Sequence, residues 1–189
     1  FFDYILLSKY TGMLHMMRGE LQMGEISKQI QSYWNRRSQD FSAVRRKELA
    51  SRDADAWQSY IMRYLPQGRS LRILDIGTGP GFLAILMARL GHDVTAIDSS
   101  TGMIQEACRN AEEYHVSVDF QTGDAQALPF APASFDVVLS RNLTWNLPDA
   151  VKAYRDWYRV LRDGGLLLNV DSDYGPVRFT SAASEEKNI

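Results

Sequence analysis

Residues Leu71 to Phe82, LRILDIGTGPGF, constrain this chain more than any other stretch. Ile73, Leu74 and Ile76 are short apolar residues suited to a buried strand. Gly77, Gly79 and Gly81 follow at alternate positions, so the backbone can bend sharply and leave room for a ligand to lie against it. Pro80 is predicted at the first helical position, where its missing N–H costs nothing. Phe82 to Leu90 continues with helical spacing of apolar residues and is stopped by Gly91. A strand, a glycine turn and a helix N-terminus make a cradle for a nucleotide-like ligand.

The spacing narrows the ligand. A dinucleotide fingerprint reads G-x-G-x-x-G, whereas this loop reads G-x-G-x-G and puts Phe82 where the third glycine belongs. The loop also lacks the lysine and Ser/Thr of a triphosphate loop. Asp75, just before Gly77, places negative charge where a phosphate would want none. A cationic or zwitterionic ligand tolerates that acid, which points to S-adenosylmethionine, with an ammonium, a sulfonium and no phosphate.

The following elements support that choice. His92 to Asp98 is predicted as a second strand ending in an acid, twenty-one positions beyond Gly77. A carboxylate there accepts hydrogen bonds from both hydroxyls of a ribose. The bland alternative is a helix cap, a role Ser99, Ser100 or Thr101 would fill equally well. Met103 to Tyr114 reads as an amphipathic helix, Val116 to Phe120 as a half-buried strand and Ser134 to Ser140 as a fourth strand. A helix from about Pro148 to Leu161 precedes a turn at Asp163-Gly164-Gly165 and a fifth strand, Leu166 to Asp171. Alternating strands and helices imply a parallel sheet with right-handed crossovers, whose ligands gather beyond the carboxyl ends of the strands. Asp75, Asp98, Asp124, Arg141 and Asp171 fall at such ends.

With these segments in order, the chain resembles the class I S-adenosylmethionine-dependent methyltransferases, in particular small-molecule enzymes of the ubiquinone and menaquinone biosynthesis type. The carriers are LDIGTGPGF (74–82), AIDSS (96–100), GDAQALPF (123–130), FDVVLSRN (135–142) and LRDGGLLL (161–168). The resemblance implies an α/β fold with a Rossmann-like, doubly wound, mostly parallel sheet and an N-terminal helical lid. It implies that Asp75, Gly77 and Gly79 face the methionine part of the cofactor, with Thr78 and Gly81 counted in the same loop. Asp98 would take the ribose, and Ser99 and Met103 would lie beside the adenine. Asp124, after Gly123, would accept from the adenine amino group, and Ala125 would offer its N–H to the ring. Arg141 and Asn142 would border the methyl-transfer pocket. Against these stand plainer roles: a turn residue for Asp124, core packing for Met103 and pairing with a neighbouring acid for Arg141.

The implied reaction is direct displacement at the sulfonium methyl by a small-molecule acceptor, in which the protein supplies proximity and alignment. Catalytic candidates are Asn142, Arg141 and Tyr33, with Asp171, Asp173 and Tyr174 as further bases at the pocket mouth. The run Ser140 to Trp145 holds no Asn/Asp-Pro-Pro-aromatic tetrad, which disfavours exocyclic-amine methylation of adenine or of glutamine, and the absence of a Pro-Cys nucleophile disfavours cytosine C5 methylation. Two readings from other classes stay open: a module that binds the cofactor without catalysis, and a nicotinamide-dependent oxidoreductase, which Phe82 and Asp75 oppose.

At 189 residues and 45% hydrophobic, the chain can bury one substantial core. One cysteine, Cys108, excludes an internal disulfide framework and reads as inert packing. His15, His92 and His115 are scattered, so no metal site is expected. A net charge of −2 offers no field for nucleic acid, and Arg36-Arg37 and Arg45-Arg46-Lys47 read as a solvated helical face. No membrane span is expected, a cytoplasmic protein is, and the oligomeric state is left open, a homodimer included.

The chain divides into a leader (1–22), N-terminal helices (23–66), a cofactor domain (67–175) and a flexible tail (176–189). Ile26 to Tyr64 is expected to be largely helical and to close over the cofactor. Tyr33, Trp34 and Arg36 would reach the ligand, although packing serves Trp34 as well; Trp57 and Tyr60 read as core, and Trp145 as a pocket wall. Met23-Gly24-Glu25 resembles a family start. The family sheet has seven strands, so the leader, with strand-forming Phe1 to Tyr10, would supply a missing strand. Its alternative is an extra lid helix presenting Met13, Met16 and Met17.

Overall fold

The computed structural model describes residues 23–171. The expectations for the leader and tail, and for Asp173 and Tyr174, lie outside the described residues.

Helix α1 (Met23–Leu49) and helix α2 (Arg52–Met62) precede the sheet. The predicted helical stretch is thus two helices, broken where Ser51 caps α2 by accepting the Asp53 N–H at 3.1 Å. Then follow β1 (Arg72–Ile76), α3 (Phe82–Arg89), β2 (Asp93–Asp98), α4 (Thr101–Glu113), β3 (Asp119–Thr122), β4 (Phe135–Arg141), α5 (Ala150–Val160) and β5 (Leu161–Val170). A single 3₁₀ turn, Thr144–Asn146, separates β4 from α5.

The five strands form one parallel sheet in the order β3-β2-β1-β4-β5. The order reverses at β1, because the chain steps from β1 outward to β2 and β3 and then returns to β4 on the other side. That switch point opens a crevice beyond the carboxyl ends of β1 and β4. Ile73, Leu74 and Ile76 are fully buried, and one core cluster forms on each side of the sheet, as sheets covered on both faces require. Trp157 of α5 is fully buried and donates its indole N–H to the Ala125 carbonyl at 2.8 Å, tying the loop after β3 to the core.

Several boundaries differ from expectation. Pro80 is not the first helical residue, because Gly81, at φ +88°, is the N-cap and α3 begins at Phe82. The third strand runs Asp119–Thr122 rather than Val116–Phe120. His115, at φ +54°, turns the chain out of α4, and pairing with β2 starts only at Thr95 and Asp119. As an edge strand, β3 takes its extent from its neighbour rather than from its own alternation. The predicted turn at Asp163-Gly164-Gly165 lies inside β5 as an irregularity: Phe135 pairs with Leu161, and Val137 next pairs with Leu166. Cys108 is exposed on α4 rather than packed, and Tyr60 is 39% exposed rather than core.

Candidate cofactor and acceptor site

A cavity of about 380 Å³ opens at the switch point. Its floor is the loop after β1. There Asp75 is buried, and its Oδ2 accepts the Thr78 hydroxyl at 2.6 Å and the Ala84 N–H at 3.1 Å. The acid before the glycines therefore staples the loop to the first turn of α3. Gly77 and Gly79 have φ of +67° and +56°, which an L side chain adopts only at a cost. Burial pushes the Asp75 carboxyl up to about 6; the two hydrogen bonds and the charge of Arg141 oppose the rise.

Asp98 ends β2 and accepts the Gly79 N–H on one oxygen and the Ser100 N–H on the other, both at 2.9 Å. Burial raises its carboxyl as well, and the same two bonds restrain it. A carboxylate offers about four lone-pair sites, so two bonds leave capacity for a ligand. Ser100 caps α4 by accepting the Met103 N–H at 3.1 Å. That cap serine and Asp98 are different residues, so the acid is not the helix cap. Asp124 accepts the Gln126 N–H at 2.8 Å, a local turn bond, and its loop also lines the cavity.

Among the residues expected at a cofactor, Asp75, Gly77, Thr78, Gly79, Asp98, Ser99, Met103, Gly123, Asp124, Ala125 and Arg141 line the cavity, as does Asn142. Gly81 does not. A Cβ there would meet Ala107 Cβ and Phe120 Cζ at 3.2 Å, so this glycine serves helix packing beneath the loop. Tyr33 is 43% exposed, and its hydroxyl accepts from Arg37 Nη1 at 3.1 Å on the outer face of α1. Arg36, also exposed, donates to the Ser32 hydroxyl at 3.0 Å. Trp34 and Phe41 of α1 both line the cavity and meet edge-on, and Trp34 is also edge-on to Trp145. Trp145 stands behind Trp34 and donates its indole N–H to the Asn142 carbonyl at 2.8 Å. Asp171 accepts from Thr144 and, at 3.2 Å, from Asn169.

Sequence reasoning expected the N-terminal helices to cover the cofactor and named Trp34, but it missed the other residues by which α1 does so. Gln31 donates to the Ser99 carbonyl at 2.6 Å, and Asn35 Oδ1 accepts the Ser100 hydroxyl at 2.6 Å and the Gly102 N–H at 3.0 Å. Arg45, expected in a solvated basic face, lines the cavity and pairs with Glu48. Arg141 pairs with the same Glu48 at 2.7 Å, and its guanidinium lies 4.2 Å from the Trp57 ring centre and 4.8 Å from that of Phe82. The available signal was a stripe: Ser27, Gln31, Trp34, Ser38, Phe41, Arg45 and Glu48 recur at alternating steps of four and three, one face of a helix.

Among the described residues there is no cluster of acids, histidines and cysteine able to hold a metal ion, and no helix long and apolar enough to cross a membrane. Fold and site together define an α/β nucleoside-binding class with a Rossmann-like parallel sheet and a helical cover. Residues 74–169, just over half of the chain, match the methyltransferase domain family, and the chain belongs to it.

Two curated relatives are each 40% identical to it. The malonyl-[acyl-carrier protein] O-methyltransferase of Enterobacter lignolyticus aligns over 121 residues, 64% of this chain and 45% of the relative. The ubiquinone biosynthesis O-methyltransferase of Methylocella silvestris aligns over 107 residues, 56% of this chain and 42% of the relative. The crystal structure of YcgJ from Bacillus subtilis is 32% identical, with a TM-score of 0.56 over 59% of this chain and 48% of that one. The chain thus spans less than half the length of the curated relatives it matches.

Proposed function

We propose that this chain binds S-adenosylmethionine and transfers its methyl group to a small-molecule acceptor, in the manner of the O-methyltransferases it resembles. The observation that carries this reading is the acid pair at the glycine loop. Asp75 and Asp98 flank Gly77 to Gly79, and the loop itself carries no lysine or arginine. A pyrophosphate would meet two carboxylates there; a ribose with an ammonium-bearing tail meets suitable partners.

When bound, the cofactor supplies an electrophilic methyl and a neutral thioether leaving group. The chain's own residues bind and align. Asp98 takes the ribose hydroxyls, and Asp124 and the Ala125 N–H take the adenine. Gly77 and Gly79 admit the amino-acid portion, and Trp34 and Phe41 exclude water from above. Asn142, at φ +55° after β4, is held to β5 through its N–H to the Val170 carbonyl at 2.9 Å and orients the acceptor. A cytoplasmic setting belongs to this reading, with the single cysteine a free thiol.

Calorimetry with S-adenosylhomocysteine and with NADH tests the assignment. The first should bind and the second should not. Asp98→Ala should weaken S-adenosylhomocysteine by about 3 kcal/mol, roughly a hundredfold. Equal affinity of wild type and variant would show that the ribose is held elsewhere.

A further inference from the structure

Gly77 answers to a second demand besides its ligand. A Cβ built on it would stand 2.7 Å from Leu143 Cδ1, 2.8 Å from Cδ2 and 3.0 Å from Cγ. Non-bonded carbons do not approach that closely. The Leu143 isobutyl group therefore fills the space that any other residue at position 77 would need. Gly79 differs: a Cβ there would meet only a Phe41 ring carbon, at an ordinary 3.6 Å. Leu143 also packs against the core cluster that holds Ile76 and Ile97, so it is wedged between the glycine loop and the core.

Leu143 heads a segment, 142–148, that gives the cavity Asn142, Leu143, Asn146, Leu147 and Pro148. Both ends are pinned. The Asn142 N–H donates to the Val170 carbonyl at 2.9 Å, and the Asp149 N–H donates to Gln126 Oε1 at 2.7 Å. Between them, the 3₁₀ turn closes through the Asn146 N–H on the Leu143 carbonyl at 2.9 Å and the Leu147 N–H on the Thr144 carbonyl at 3.2 Å. The residue that seats this turn on the cofactor loop is Leu143, while Asn146, Leu147 and Pro148 face the space beyond.

We infer that Leu143 is a positioning residue: seated on Gly77, it transmits occupancy of the cofactor loop to segment 142–148 and so sets the acceptor wall. This rests on the cofactor reading above, which puts the ligand on Gly77. A ligand lying there holds the loop still. The wedged side chain then makes opening of the turn costlier, without a new contact between ligand and turn. Because the opened turn is the minor state, the coupling leaves overall cofactor affinity nearly unchanged.

Amide hydrogen exchange by NMR, with and without saturating S-adenosylhomocysteine, tests the coupling. In the wild type, ligand should slow exchange at Asn146 and Leu147 by at least about tenfold. Leu143→Ala should bind S-adenosylhomocysteine within about threefold of wild type and lose that slowing. Leu143→Met, which keeps side-chain volume, should restore it. Leu143→Val, a milder truncation, should show a reduced slowing and serves if the alanine variant folds poorly.

A merely structural Leu143 would speed exchange equally in the free and bound alanine variant and leave the ligand's slowing intact, which overturns the inference. Loss of S-adenosylhomocysteine binding in Leu143→Ala overturns it too, since Leu143 would then be a cofactor contact. A wild type that binds the ligand without slower exchange removes the coupling alone, whereas one that does not bind it removes the cofactor reading and the coupling with it.

Discussion

Asp75 is the residue in which local and tertiary demands meet. Its carboxylate braces Thr78 and Ala84, yet burial raises its pKa from an ordinary 3.8 to about 6. Folding therefore favours the protonated form, and its contribution to stability falls as pH rises from about 4 through about 6. Asp75→Asn keeps an oxygen for both donors and cannot ionise. The variant should be more stable than wild type at pH 8 by about 1–3 kcal/mol and level with it near pH 4. Urea unfolding at the two pH values checks this, and a variant less stable at pH 8 would contradict it. A cationic ligand should bind wild type more tightly as pH climbs through the same range. At this scale the sequence showed which acids stand at strand ends, because the loop pattern is local. It could not show that Arg141 pairs with Glu48, ninety-three positions away.

At the scale of elements, α1 decides what the cavity can hold. Its stripe from Ser27 to Glu48 covers the carboxyl ends of β1, β2 and β4, and the anchor is Asn35 at the N-terminus of α4. Asn35→Ala leaves the buried Ser100 hydroxyl without that acceptor. The expected cost is about 1–2 kcal/mol, expressed as local release of α1 rather than global unfolding. Limited proteolysis should cut the variant within residues 23–49 while the sheet stays intact; an unchanged cleavage pattern would show that α1 is held by other contacts. The stripe escaped notice because its members are chemically mixed. Serine, glutamine, tryptophan and arginine have no common hydropathy, so only their shared position on a helix unites them.

Across the whole molecule, a second carboxylate opposes Asp75. Asp136 of β4 accepts both nitrogens of the Arg69 fork at 3.0 Å and the Arg72 N–H at 2.8 Å, with Arg162 of β5 beside it. Those partners hold its carboxyl down to about 2. Its stabilising contribution is present above the ordinary value and is lost as pH falls toward 2. Asp75 destabilises on the alkaline side of 4 and Asp136 on the acid side, so their combined contribution to the stability of the ligand-free chain peaks near pH 4. Asp75→Asn should flatten the alkaline flank and Asp136→Asn the acid flank. A stability profile whose flanks ignore both substitutions would refute the assignment.

The sequence by itself determined the sheet and its ligand-facing loops. Strands buried on both faces, glycine turns and acids at strand ends are local patterns, and local patterns are written in neighbouring residues. Only the tertiary structure decided the chemistry of the cavity's other half. Arg141, Arg45 and Glu48 come from β4 and α1, and Trp57 from α2. Their union depends on how α1 and α2 settle against the sheet, a packing outcome that no spacing along the chain records.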